Sequence, residues 1–355
     1  MLWAMACQAE PSPPELPPAQ IQGDFFAYAA DAEYEVCPGT VVFIEGWMEA
    51  VAVKLGMDPT KILPTTYYLV EESVLSELCS EHPSGGFTSC ARRQGDRIEI
   101  FSNELLLRHE LVHALHLSVW PRRQPILHEG LAIAFDDTDL LEIYQPPYAA
   151  LDGAIEAKTA LDDEAVYGFG AFLIYWIVRR HGPESLSRFW NATSRPTSAA
   201  DFRVAFEQEL GESLDAMLAD VGTRGCIVPT CAADEARPWI DDRWTTTSPQ
   251  GCEDDSVLGI VGGGRHTVAR QELVEIAQAG VYEISISKPA DLGHDVHTVL
   301  DPCDLPENPS VCPNQLIVES DQPEQYQLEA GTYRVATFQF EAGEPSYEVE
   351  IRPVP

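Results

Sequence analysis

Basic residues are scarce in this chain of 355 residues. It has 22 Lys and Arg against 57 Asp and Glu, which gives a formal net charge of −35 at pH 7. Such an acidic surface repels nucleic acid and anionic lipid headgroups, so neither is expected as a partner. The simplest explanation of the charge is that it keeps an exported protein soluble.

Long apolar runs and CxxC pairs are also missing. The longest uncharged apolar run covers residues 169–178, far short of the ~20 residues that a membrane-spanning helix needs. The lack of CxxC pairs argues against a zinc ribbon, so the nine cysteines favour disulfides in an oxidising compartment.

Cysteine spacing predicts short disulfide-closed loops. The close pairs are Cys79/Cys90, Cys226/Cys231 and Cys303/Cys312, which leaves Cys37 and Cys252 to pair with each other. Spacing alone leaves other connectivities open.

The remaining cysteine, Cys7, lies in the context of an export signal. Ala4 and Ala6 precede it, as at the end of a bacterial lipoprotein signal, and a Pro-rich tether follows. The basic start and most of the apolar stretch of such a signal are missing, so we expect a truncated start and a lipid anchor at Cys7. The alternative is a plain secretory leader in which Cys7 is incidental. Both explanations place the protein outside the cytoplasm of a bacterium, either secreted or anchored as a lipoprotein.

The hydrophobic pattern predicts an α+β protein with four parts. These are the signal remnant and tether (1–23), an α+β domain (24–222), a Cys-containing linker pinned by disulfides (223–253) and an all-β sandwich (254–355). The sandwich is predicted from apolar residues that alternate with polar ones, as at 282–286 and 347–351. In the α+β part we predict helices at 41–55, 102–119, 125–135 and 167–180, a strand at 66–70 and an edge strand at 97–101.

The stretch His109-Glu-Leu-Val-His113 carries the strongest chemical signal. Positions i and i+4 of a helix share a face, so both imidazoles can bind one metal ion, and Glu110 lies where it can take a proton from a metal-activated water. The alternative is an ordinary helix with two surface histidines. The leucine-rich flanks instead predict a buried helix, in which histidines need partners.

A third ligand is needed for a catalytic zinc site. The metzincin pattern requires Gly at position 116 and His at position 119, but the chain has His116 and Val119. The segment His128-Glu-Gly-Leu-Ala132 follows on a new helix, and a helix–turn–helix of this length can fold Glu129 back toward the two histidines.

These two motifs together resemble those of the gluzincins, such as aminopeptidase N-like and thermolysin-like peptidases. The likeness continues through Tyr167-Gly-Phe-Gly170 and the segments 180–186 and 206–214, so it covers 100–220 well and 24–100 loosely. It implies a zincin-like catalytic domain that holds one Zn²⁺ per chain through His109, His113 and Glu129.

The resemblance also implies the reaction. Glu110 would be the general base and later the acid for the leaving amine, and Tyr167 would donate a hydrogen bond to the developing oxyanion, with Tyr175 as the alternative. We expect zinc-dependent hydrolysis of peptide or protein substrates. The Gly-rich exopeptidase motif is not found, and Ile133 replaces an Asp of the thermolysin-like pattern. We therefore expect an endopeptidase.

A different class of protein remains as the alternative. The C-terminal region is similar to pre-peptidase C-terminal domains through its alternation and its Ala-Gly-x-Tyr openings at 279–282 and 330–333. A non-catalytic surface protein would bind through this region and keep a structural or vestigial zinc.

Near the motif, we expect His116 to pack beside the site, His128 to point away from it, and Asp136 to end its helix in solvent.

Overall fold

The computed structural model describes most of the chain. The described residues are 14–79, 89–120, 124–136, 142–144, 148–159, 165–193, 197–221, 224–226, 230–232, 236–252, 255–262, 265–289, 298–304, 316–318, 322–340 and 345–354. The predicted lipid anchor at Cys7 and the predicted partner Cys312 lie outside them. Helices and sheets are both present, as predicted for an α+β protein.

The N-terminal part alternates strands and helices. In chain order its elements are β1 (Ala19–Gln22), β2 (Phe26–Ala29), β3 (Tyr34–Val36), α1 (Gly39–Lys54), β4 (Thr65–Leu69), α2 (Glu72–Leu78), β5 (Ser89–Gln94), β6 (Arg97–Ser102), α3 (Arg108–Val119), α4 (Pro125–Phe135), β7 (Glu142–Tyr144), α5 (Leu151–Glu156), α6 (Ala165–His181), α7 (Pro183–Ala192), α8 (Ala199–Leu210), α9 (Leu214–Asp220) and β8 (Arg224–Cys226). The helices predicted at 41–55, 125–135 and 167–180 are confirmed as α1, α4 and α6.

The helix predicted at 102–119 begins later than expected. Ser102 is the last residue of β6, and its hydroxyl accepts a hydrogen bond from the Glu104 amide. The helix starts only at Arg108, after Leu107 in an extended conformation. Carbonyls of the intervening segment bind the sheet instead, since Tyr67 and Tyr28 donate to the carbonyls of Glu104 and Leu105.

The main N-terminal sheet has the strand order β1-β2-β4-β6-β5. Strands β2, β4 and β6 are parallel, whereas β5 runs antiparallel to β6. The prediction that 97–101 is an edge strand was wrong, because β6 pairs on both sides. Within the described residues, the edges of this sheet are β1 and β5, and α3 packs against β5.

The C-terminal part is a sandwich of antiparallel strands. Its elements are β9 (Trp244–Thr247), β10 (Val257–Gly262), β11 (Arg265–Ile276), β12 (Gly280–Ser287), β13 (Thr298–Pro302), β14 (Leu316–Val318), β15 (Glu324–Leu328), β16 (Gly331–Gln339) and β17 (Glu348–Pro353). One sheet has the order β14-β13-β16-β11-β10-β3 and the other β15-β12-β17-β9. Residues of both sheets share one apolar core, which includes Trp244, Ile284 and Val335.

The two parts are joined by more than a linker. Strand β3 pairs with β10 and so completes a sheet of the sandwich. The Thr40 hydroxyl accepts a hydrogen bond from the Gly259 amide at 2.9 Å, and Leu258 and Ile260 of β10 pack into the same core as α1.

The disulfides confirm part of the predicted pairing. Cys79–Cys90 and Cys37–Cys252 are present as predicted. The short loops Cys226–Cys231 and Cys303–Cys312 were wrong, because Cys231 pairs with Cys303. The linker is therefore pinned to β3 by Cys252 and to the end of β13 by Cys231. Disulfides of this kind indicate an oxidising compartment.

Among the described residues, no helix combines the length and apolar character needed to cross a membrane.

Candidate metal centre

Helix α3 presents two histidines on one face. His109 and His113 are one turn apart, and their Nε2 atoms lie 3.0 Å from each other. The apolar residues Leu111, Val112 and Leu115 of the same helix are fully buried in the core. Their packing fixes the orientation of α3 and therefore the direction in which the histidines point.

Helix α4 brings Glu129 to the same place. It crosses α6 at very close range, where Gly130 meets the backbone of Gly170. A Cβ atom on Gly130 would lie 2.2 Å from the carbonyl carbon of Gly170, so only glycine fits. The glycine after Glu129 therefore has a structural purpose, which is to seat α4 on α6.

The predicted ligand atoms converge. Glu129 Oε2 lies 3.3 Å from His109 Nε2 and 3.4 Å from His113 Nε2. Tetrahedral ligands that bind zinc at about 2.0–2.1 Å lie about 3.3–3.4 Å from one another. His109, His113 and Glu129 thus form a group that fits a small metal cation, and His109 and Glu129 keep 16% and 17% side-chain exposure.

The electrostatics of the group favour a positive charge at its centre. Burial alone would raise the pKa of Glu129, but His113 and the hydrogen bonds from both histidines bring it well below its usual value. Burial would lower the pKa of His109, yet its hydrogen bond to Glu129 and the charges of Glu110, Glu129 and Asp136 raise it. A cation between these atoms is therefore stabilised by the surrounding carboxylates.

Glu110 is buried beside the group, with 5% exposure. One carboxylate oxygen, Oε1, accepts a hydrogen bond from the Ser89 hydroxyl at 2.7 Å. The other, Oε2, is also buried and has no hydrogen-bond partner among the described residues. A buried carboxylate oxygen without a donor is costly unless something binds there. A metal ion with a bound water beside Glu110 would satisfy it.

Tyr167 lies in the first turn of α6, where the charges of Glu129 and Glu110 act on its phenol. Burial and then the charges of Glu129 and Glu110 raise the pKa of its phenol to about 12. Tyr175, the alternative, is fully buried with its ring 4.9 Å from that of Trp176, and the charge acting on it is that of Arg179. The arrangement favours Tyr167 over Tyr175 as the hydroxyl at the site.

A second set of histidines lies behind the first. His113 Nδ1 is 3.1 Å from His116 Nε2, and the ring of His128 lies 4.2 Å from the rings of both. The expectation that His128 points away was wrong, whereas His116 packs beside the site as expected. His113, His116 and His128 are buried and form another group able to hold a metal ion.

Asp136 also differs from expectation. It is 5% exposed rather than in solvent, and its charge contributes to the raised pKa of His109. Sequence reasoning missed Ser89 as well, because nothing local to a serine at a strand start signals a contact with a helix later in the chain. His128 carried a sequence signal, since it directly precedes the predicted ligand Glu129.

Comparisons with known proteins leave the family open. No family model matches the chain, and no curated protein matches it. Among solved structures, the pre-peptidase C-terminal domain of a collagenase from Bacillus anthracis is 15% identical, with a TM-score of 0.21 over 31% of this chain and 89% of that one. A Podospora anserina GH26-CBM35 β-(1,4)-mannanase is 14% identical, with a TM-score of 0.19 over 33% of this chain and 28% of that one. Likenesses this weak carry no argument, so function rests on the residues of the site.

Proposed function

We propose that this protein is a zinc-dependent metallopeptidase of the gluzincin type, acting as an endopeptidase on extracytoplasmic proteins or peptides. The observation that carries the proposal is the convergence of His109 Nε2, His113 Nε2 and Glu129 Oε2, which lie 3.0–3.4 Å apart, close to the separation of about 3.3–3.4 Å between ligands of one tetrahedral zinc. Two neutral nitrogens and one carboxylate are a donor set that zinc accepts while keeping a position open.

The residues around this group suit peptide hydrolysis. Zinc held there would act as a Lewis acid and lower the pKa of a bound water to roughly 7. Glu110 Oε2 would accept the proton released on attack and then deliver it to the leaving amine. The Tyr167 hydroxyl, which keeps its proton at neutral pH, would donate a hydrogen bond to the carbonyl oxygen as charge develops. Strand β5, at the edge of the sheet beside α3, offers backbone groups that can pair with an extended peptide.

Metal content and hydrolysis test the proposal together. We expect elemental mass spectrometry of the chelator-free protein to find about one zinc per chain, and Glu129→Ala to lose it. Glu110→Gln should keep the zinc while hydrolysis of a peptide library falls by orders of magnitude. A folded protein without zinc, or normal hydrolysis by Glu110→Gln, would contradict the proposal.

The second histidine group favours one rival. A metal held by His113, His116 and His128 would be enclosed, as structural metals are, and the protein would then be a non-catalytic surface protein. His128→Phe separates the two. Loss of metal in this variant, with metal retained in Glu129→Ala, would favour the structural site.

Export is the remaining part of the proposal. The disulfides agree with an oxidising compartment, and a lipid anchor at Cys7 would hold the protein at the cell surface. Mass spectrometry of the N-terminal peptide from native membranes should find a lipid attached to Cys7. An unmodified Cys7 would contradict the lipid anchor and favour a secreted protein.

A further inference from the structure

We propose that Ser89 is a positioning residue for Glu110, a role that rests on the proposed peptidase function. The Ser89 hydroxyl donates to Glu110 Oε1 at 2.7 Å, and the two residues are 8% and 5% exposed. A hydrogen bond to a charged group is stronger than one between neutral groups, and more so away from water. This contact therefore restrains which way the carboxylate faces.

The backbone holds Ser89 in place from several sides. It is the first residue of β5, opposite Ser102 in the antiparallel pair with β6. Its neighbour Cys90 is linked by a disulfide to Cys79, at the end of α2. Helix α3 packs along β5, so the hydroxyl of the strand meets the carboxylate of the helix. The Ser89 hydroxyl therefore donates from a residue whose backbone position is fixed by strand pairing.

Occupying one oxygen of Glu110 leaves the other for chemistry. With Oε1 bound to Ser89, Oε2 is the atom that has no hydrogen-bond partner among the described residues. A carboxylate restrained in this way presents the same oxygen to the water and to the leaving amine in each turnover. A freely rotating carboxylate would instead spend part of its time in unproductive orientations, and loss of alignment by about 1 Å can cost about 10²-fold in rate.

Three variants test the role of Ser89. Ser89→Ala should lower kcat by about 10- to 100-fold with KM and zinc content unchanged, because Glu110 is still present but no longer oriented. Ser89→Thr keeps the hydroxyl, suits a strand, and should recover most of kcat. Ser248→Ala is the control, since it removes a buried hydroxyl that accepts from the Tyr347 amide in the sandwich, and its kcat should stay near that of the natural chain.

A spectroscopic readout keeps the test independent of activity. In protein labelled with ¹³C at the glutamate carboxyl carbons, the resonance that disappears in Glu110→Gln belongs to Glu110. That resonance should move in Ser89→Ala and stay in place in Ser89→Thr and Ser248→Ala.

An unmoved resonance, or wild-type kcat in Ser89→Ala, would overturn the role of Ser89 while leaving the peptidase intact. If the natural chain hydrolyses no peptide at all, the proposed function fails. The resonance then decides separately whether Ser89 holds Glu110.

Discussion

At the scale of single residues, we predict that the hydroxyl of Tyr167 contributes to peptide hydrolysis as a hydrogen-bond donor. Burial and then the charges of Glu129 and Glu110 raise its pKa to about 12, so the phenol is protonated and able to donate a hydrogen bond at neutral pH. Tyr167→Phe keeps the ring and removes the donor. We expect kcat for peptide hydrolysis to fall about 100-fold, the size typical of losing one oxyanion donor, with zinc content and KM little changed.

Tyr175→Phe is the matched control on the same helix. Its ring is fully buried against Trp176, and the charge acting on its phenol is that of Arg179 rather than of a carboxylate at the site. Kinetics of the two variants side by side decide between the tyrosines. A loss confined to Tyr175→Phe would move the oxyanion role to Tyr175.

At the scale of elements, the crossing of α4 and α6 sets the position of Glu129. The added Cβ of Gly130→Ala would lie 2.2 Å from the Gly170 carbonyl carbon, so the two helices must separate. We expect the free energy of unfolding to fall by about 1–3 kcal/mol, as in other overpacked cores, and zinc affinity to fall at least tenfold because Glu129 moves with the helix. Chemical denaturation and a zinc-chelator competition measure the two effects.

Gly46→Ala provides the comparison for this crossing. Gly46 lies within α1, and among the described residues its added Cβ would meet only the Cβ of Ala232, a side-chain atom at 3.3 Å. Alanine gains helix propensity over glycine by up to about 1 kcal/mol, so stability and zinc binding should be preserved. Equal zinc affinity in Gly130→Ala and Gly46→Ala would show that the crossing does not position the ligand.

Helices and strands were predicted correctly where the sequence pattern lies within a short segment. They were predicted wrongly where their position depends on residues far along the chain. The helices around 125–135 and 167–180 and both histidines of α3 follow from i, i+4 periodicity, which a short window contains. The start of α3 was wrong because distant tyrosines of β2 and β4 bind the carbonyls before it. Likewise, the place of 97–101 inside its sheet and the pairing of Cys231 with Cys303 depend on partners far along the chain.

At the scale of the whole molecule, the contacts of β3 predict cooperative unfolding. β3 pairs with β10, Cys37 is bonded to Cys252, and Leu258 and Ile260 share the core of α1. We expect one calorimetric transition for the intact chain, raised as a whole by zinc, since a ligand at 100 times its Kd adds about 2.7 kcal/mol to the unit that binds it. In pulse-labelled hydrogen exchange, the backbone amides of α3 and β12 should lose their protection together. Two transitions, with only one raised by zinc, would instead make the sandwich an independent unit.

The net charge of −35 predicts which peptides are hydrolysed with the highest kcat/KM. An acidic field attracts cationic peptides over a Debye length, which shrinks from about 30 Å at 0.01 M salt to about 8 Å at 0.15 M. Peptides sharing one scissile sequence but flanked by Lys, by Glu or by neutral residues isolate this effect. For the Lys-flanked peptide, kcat/KM should fall about tenfold over this salt range, while the Glu-flanked peptide should gain and the neutral one should hardly change. The carboxylates Glu110, Glu129 and Asp136 add negative charge at the site itself, although a bound zinc ion would offset part of it. If all three peptides respond alike, the acidic surface acts only on solubility, and specificity must come from contacts next to the scissile bond.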